Sequence, residues 1–202
     1  DNTLFTSFES TTTDLLTDSG YKSSGVGFSL ATQFEQYQDL FLKPELNFQI
    51  EDLETSSKAS NILKKQEGSY TDLYFNYSIT QDLRDKKFRT EDGYKTTFAQ
   101  ELPVIAENSE ISNAFEISKF KKLSTRSDML GKISFYGKAI NALEDDVRVS
   151  KRLHIPSYRL RGFEKGRVGP VENNDYIGGN YLSALNISTT LPNLLEDLDN
   201  LD

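Results

Sequence analysis

The sequence predicts an all-β fold of antiparallel strands, and three observations carry that expectation. Apolar residues recur at every second position in segment after segment, no segment shows a helical period, and polar, turn-rich connections separate the segments. Alternation of this kind gives each strand two unlike faces.

The strands are expected in the following order. Leu4 to Ser10 is a short first strand. From Lys22 to Gln33, Val26, Phe28 and Leu30 oppose Gly25, Gly27, Ser29 and Ala31. In "LFLKPELNFQI", residues 40 to 50, Leu40, Leu42, Leu46, Phe48 and Ile50 oppose Phe41, Lys43, Glu45, Asn47 and Gln49. Pro44 falls in the apolar set; having no N–H, it should mark a strand end, a bulge or a locally unpaired position. "DLYFNYSIT", residues 72 to 80, sets Leu73, Phe75, Tyr77 and Ile79 against Tyr74, Asn76, Ser78 and Thr80. Tyr94 to Leu102 and Ser112 to Lys121 follow. "GKISFYGKAI", residues 131 to 140, sets Ile133, Phe135, Gly137 and Ala139 against Lys132, Ser134, Tyr136 and Lys138. Tyr181 to Leu191 makes the eighth strand.

Two architectures share this alternation. In a transmembrane barrel the apolar face meets lipid, and the nine to eleven residues of a tilted strand cross the bilayer. In a soluble antiparallel sheet the apolar face meets a core. The bulky, charged polar face suits a barrel lumen better than the inner layer of a sandwich. Connections alternate in the manner of outer-membrane barrels. "TTTDLLTDSG", "ETSSKASNILKKQEGS", "PVIAENSE" and the connection from Leu143 to Asp175 are long, whereas "EQYQD" and "STRSD" are short. "DLRDKKFRTEDG" is longer than a tight turn.

Composition narrows the function. Among 202 residues, 23 Lys and Arg face 31 Asp and Glu, a net charge of −8, which opposes nucleic-acid binding. There is no cysteine, so neither a disulfide framework nor thiol chemistry is available. No apolar run is long enough for a transmembrane helix. The chain starts at Asp1 with no start methionine or signal region and stops within "LEDLDNLD", so both ends read as interior sequence.

Catalytic constellations are missing. His154 is the only histidine, and a lone loop histidine is more often structural than a base. The carboxylates Asp82 and Asp85, Glu91 and Asp92, and Glu144 to Asp146 sit in expected turns and read as solvated. No calcium loop, zinc cluster or phosphate loop occurs. A protein that is not an enzyme, with no metal and no cofactor, is the expectation.

The densest stretch is "SYRLRGFEKGRVGP", residues 157 to 170, where Arg159, Arg161, Lys165 and Arg167 gather among glycines. Here "LRGF", Leu160 to Phe163, is followed by "GRVGP" and then by "YIGGN", Tyr176 to Asn180, opening a strand that closes at Pro192. Upstream, Tyr74 to Leu102 reads as strand, "D-x-R-D" turn, glycine and returning strand. This ordered set resembles the barrel of the BamA family of outer-membrane protein assembly factors, within the bacterial surface antigen superfamily.

The resemblance implies a sixteen-stranded antiparallel transmembrane β-barrel in the cell outer membrane, with residues 1–202 covering about eight central strands and carrying no POTRA repeats. It implies that the loop 143–175 folds into the lumen, with Arg161 anchored on the polar wall, Gly162 allowing close backbone approach and Phe163 packed on the wall. Gly169 and Pro170 belong to the same motif, and Gly178 and Gly179 start the next strand. Two positions depart from the family: Ser188 stands where a glutamate partner for the arginine is usual, and "KKFRTEDG" replaces a proline-bearing turn. The partners implied are nascent outer-membrane β-barrel proteins, accessory outer-membrane lipoproteins and the lipid bilayer. A polypeptide-secreting transporter of the same superfamily and a soluble antiparallel β binding domain are the alternatives.

Overall fold

A computed structural model describes residues 3–190, apart from 18, 58, 108, 125–128, 145, 165 and 173–174. Eight strands form one antiparallel sheet: β1 (Thr3–Leu15), β2 (Tyr21–Tyr37), β3 (Leu40–Thr55), β4 (Gly68–Asp82), β5 (Asp92–Ile105), β6 (Glu110–Lys122), β7 (Leu130–Ala142) and β10 (Tyr181–Thr189). Their order in the sheet is the order in the chain. A small hairpin, β8 (Val171–Glu172) and β9 (Asp175–Tyr176), lies in the connection from β7 to β10. The sheet is open, since β1 and β10 do not pair. Pro192 lies outside the described residues, as does the end of the eighth strand expected at Leu191.

Each of the eight strands stands where alternation put it, but most run further toward the long-connection end. β3 continues to Thr55 and β4 begins at Gly68. In "EDLET", residues 51 to 55, charges occupy both faces, so periodicity carries no signal although the backbone ladder continues. Lys22 pairs with Glu54 across it, their charges 3.7 Å apart. A one-turn helix, α1 (Asn61–Lys64), is added in the β3–β4 connection; the Ser60 hydroxyl caps it by accepting from Leu63 N–H at 3.3 Å. Pro44 remains inside β3. It keeps its place opposite Tyr77 of β4, while the ladder to β2 jumps from Ala31–Glu45 to Phe34–Leu42, leaving the proline locally unpaired on that side.

The two faces have opposite fates. Side chains of the polar set, from Glu51 and Asp72 to Glu110 and Ser134, are buried, and this is the inner face. The apolar set, including Phe28, Phe48, Phe135, Leu185 and Ile187, is exposed. A soluble sheet would need that face covered, and nothing among the described residues covers it. The largest apolar cluster instead lies under the long connections, where Tyr21, Leu53, Ala59, Leu63, Tyr70, Val149 and Ile177 pack together.

The β4–β5 turn shows how a polar segment becomes rigid. Arg84 grips Asp82 with two hydrogen bonds of 2.7 Å, and Asp85 Oδ1 accepts from the N–H groups of Glu91 and Asp92. The carboxylates expected as solvated turn charges are therefore partly tied into the backbone. Gly93 closes the turn at φ +105°, where a Cβ would run into the Leu83 carbonyl. Gly93→Ala in the intact protein should therefore cost more than ~1 kcal/mol, read as a lower urea midpoint with the β4–β5 turn becoming protease-sensitive.

Candidate functional site

The connection from β7 to β10 turns back over the inner face and is fixed there by two arginines. Arg148 precedes a single 3₁₀ turn, Val149–Lys151, and its side chain is fully buried. Nη1 lies 2.9 Å from Glu51 Oε2 of β3 and 2.9 Å from Asp72 Oδ2 of β4. Nη2 donates to Asp72 Oδ1 at 3.3 Å and to the Glu107 carbonyl at 2.8 Å. The guanidinium also stacks 3.8 Å from the centre of the Tyr70 ring. Burial alone would lower the Arg148 pKa; the hydrogen bonds to Asp72 and Glu51 outweigh it and hold the group above its ordinary value, so it stays charged.

Neighbouring contacts extend the clasp. Lys151 Nζ donates to Gln49 Oε1 at 3.1 Å and lies 4.9 Å above the Tyr74 ring. Gln66, from the β3–β4 connection, accepts from Val149 N–H at 2.8 Å. Tyr74 donates to Glu110 Oε1 at 2.8 Å, whereas Glu110 Oε2 and Arg148 Nε have no hydrogen-bond partner among the described residues.

Arg159 makes the second tie. Its Nη2 meets Glu116 Oε2 of β6 at 2.7 Å, and its guanidinium stacks 3.8 Å from the Tyr136 ring centre on β7. The Arg159 carbonyl accepts from Asn186 Nδ2 of β10 at 2.8 Å. One inner-face residue from each of three successive strands therefore holds this arginine.

The residues expected from sequence fall into two groups. Gly178 and Gly179 lie where the connection re-enters the sheet. Leu153 and Gly179 exchange two backbone hydrogen bonds, of 2.7 and 2.9 Å. Gly178 has φ +74°, and a Cβ there would stand 2.8 Å from His154 Nε2, so the close approach requires glycine. The Pro170 ring lies beside Gly179, and the Pro170 carbonyl accepts from Ile177 N–H at 3.2 Å.

Arg161, Gly162 and Phe163 stand apart from this. Arg161 is exposed and makes no hydrogen bond or ion pair within the described residues. Phe163 is 60 % exposed rather than packed on the wall. Gly162 and Gly169 have open space where a Cβ would be, so positive φ, +85° and +134°, accounts for them rather than close packing. On the described wall, Glu51 and Asp72 are held by Arg148 and Glu116 by Arg159. Ser188 sits on the inner-face set of β10, opposite Lys132.

Sequence reasoning passed over Arg148 entirely and treated Arg159 as one cation among several. A usable signal existed. Glu51, Asp72, Glu110 and Glu116 all fall on inner-face positions, and a buried wall of that charge requires cations from elsewhere in the chain.

Comparison with known proteins agrees with this architecture. A sequence model of the Omp85 superfamily domain matches residues 2–199. No curated protein matches the chain. Among solved structures, the crystal structure of BamA from Haemophilus ducreyi lacking POTRA domains 1–3 superposes with a TM-score of 0.78 at 13% identity. The match covers 96% of this chain and 45% of that one. The chain thus spans less than half the length of that protein, and the likeness is one of fold.

Two outcomes follow. Arg148→Ala leaves two buried carboxylates without a counter-charge and should cost about 3–5 kcal/mol, seen as a lower unfolding midpoint of the intact protein and faster proteolysis between residues 147 and 170. His154 is held below the usual imidazole range by burial, so the folded chain favours its neutral form. The stability this gives is present above the unfolded value of about 6.5 and is lost as pH falls below it. Proteolysis near the Leu153–Gly179 tie should accelerate from pH 7 to pH 5, and His154→Phe should flatten that dependence.

Proposed function

Because the chain belongs to the Omp85 superfamily, we propose that it forms the central wall of an outer-membrane barrel that folds and inserts other β-barrel proteins. The observation that supports this reading is the motif-bearing connection lying on the inner face, pinned by Arg148 and Arg159, within a chain whose "LRGF", "VGP" and "GGN" segments follow the order of the assembly factors.

On this reading the pinned connection stiffens one side of the barrel, and the client pairs its own strand with an edge that opens elsewhere in the complete protein. Strand addition needs no nucleotide or cofactor, because each new backbone hydrogen bond and each apolar side chain moved into lipid is favourable by itself. The partners are unfolded outer-membrane barrel proteins, accessory lipoproteins and the bilayer. Arg161, unpaired on these strands, reaches a carboxylate of the barrel outside them.

A second reading, a polypeptide-secreting transporter, has one observation in its favour. Ser23, Gly25 and Gly27 on β2 leave a cavity of about 240 Å³ between the wall and the tied connection, bordered by Glu51 and Lys151. Such a space suits a passage beside the loop. Depletion of the intact gene product separates the two. Loss of many heat-modifiable outer-membrane barrels is the expected outcome; retention of those barrels, with one secreted polypeptide accumulating inside the cell, would establish transport instead. Arg161→Ala should lower barrel assembly without altering the abundance of the protein itself.

A further inference from the structure

The outer face carries a polar cluster in a position where apolar side chains are the rule. Tyr77, Gln100 and Asn113 lie side by side on β4, β5 and β6, on the same face as Phe75, Phe98 and Phe115. Tyr77 O–H donates to Gln100 Oε1 at 2.9 Å, and Gln100 Nε2 donates to Asn113 Oδ1 at 2.5 Å. The donors all run one way. The series therefore ends on Asn113 Nδ2, an amide donor with no partner among the described residues.

Two polar contacts on the same face mark the edges of the apolar band. At the short-turn end Lys119 Nζ stands 5.8 Å from the Tyr94 ring centre; at the long-connection end Tyr181 O–H donates to Asn141 Oδ1 at 2.7 Å. Gln100 lies about 20 Å along β5 from Tyr94, or about 15 Å of depth for a strand tilted by roughly 40°. Asn113 faces Ala139, two positions from Asn141, so it lies about 5 Å inside the opposite edge. This depth adjoins the boundary between hydrocarbon and the polar lipid region, not the middle of the band.

Beside Asn113 the surface is hollowed. A groove of about 360 Å³ runs between Phe98 and Phe115 on one side and Tyr181 and Ser183 on the other, floored by Gly137 and Ala139. Gly137 is not needed for backbone reasons: a Cβ there would meet only Phe135 ring atoms, at 3.5 Å. A largely apolar trough with a free amide donor at one end, and the small Ser183 side chain opposite Gly137, complements an acyl chain joined to a carbonyl. Water is scarce at that depth, and neighbouring backbone carbonyls are engaged in the ladders, so a bare amide there is costly.

We propose that this groove binds one ester-linked lipid of the adjoining leaflet, its acyl chain along Gly137 and Ala139 and its ester carbonyl accepting from Asn113 Nδ2. The site rests on the membrane-spanning reading of the strands. If that reading fails, the intact protein will be a detergent-free monomer, and the failure is evident before any lipid is added.

The test is native mass spectrometry of the intact protein in detergent, with two probes offered separately: a diester phosphatidylethanolamine and the diether analogue of the same headgroup and chain length. The wild-type protein should retain the diester roughly five-fold better, the worth of one hydrogen bond. Asn113→Leu should erase that preference, and Gly137→Leu, which fills the trough, should reduce retention of both lipids. Equal retention of the two lipids by the wild-type protein overturns the proposal, and so does unchanged retention by a heat-modifiable Gly137→Leu variant. The wild-type comparison needs no substitution, so it decides the matter even where a variant does not fold.

Discussion

A wall that faces lipid on one side must put its polar residues on the other, and this chain puts carboxylates there. Glu51 and Asp72 sit on adjacent strands under a cover of loops, where an unpaired charge is strongly unfavourable. Arg148 is what makes that arrangement tenable. The 3₁₀ turn, the Gln66 contact with Val149 N–H and the place of Val149 in the apolar cluster with Leu53 lie on the backbone next to it. Arg159 repeats the device on β6, β7 and β10 with a thinner cover.

The same contacts tie sequence-distant elements to strand register. A slip of one residue in β3 or β4 would turn Glu51 or Asp72 to the apolar face and strip Arg148 of a partner. The buried pair therefore makes wrong pairings more unfavourable than the apolar pattern alone does. Since Arg148 follows β7 in the chain, this check operates only after the strands it inspects have been made.

Legibility differed by the kind of signal each residue carries. Strand positions and faces were readable because lipid and lumen impose a period of two, as in Leu73 to Thr80. Strand ends were not, since at "EDLET" the outer positions Asp52 and Glu54 are charged and the apolar Leu53 falls on the inner face, so the outward apolar marker is lost while pairing continues. The glycines near the β10 entry were readable through the motif, although Gly178 owes its identity to His154 and to its positive φ, which no spacing discloses. Arg148 was missed because "DDVRVSKR" looks like any solvated charged loop; inner-face acids call for a cation, but which cation answers is decided only where β3 and β4 bring Glu51 and Asp72 together. The outer-face cluster was hidden for a related reason, as Gln100 and Asn113 become neighbours through the β5–β6 register alone.

Pro44 leaves its mark beyond its own position. The β2–β3 ladder is interrupted opposite it and again at the bulge between Glu35 and Tyr37, and the β4–β5 ladder shifts once, between Leu73 and Tyr74. Proline brings no N–H to the interruption, so the gap opens without exposing a donor at that residue. Two breaks close together give the wall a line along which it can flex, as a panel folds at a score. Bending strain arising elsewhere in the barrel, as from a change in bilayer thickness, would meet fewer ladder bonds at these two positions.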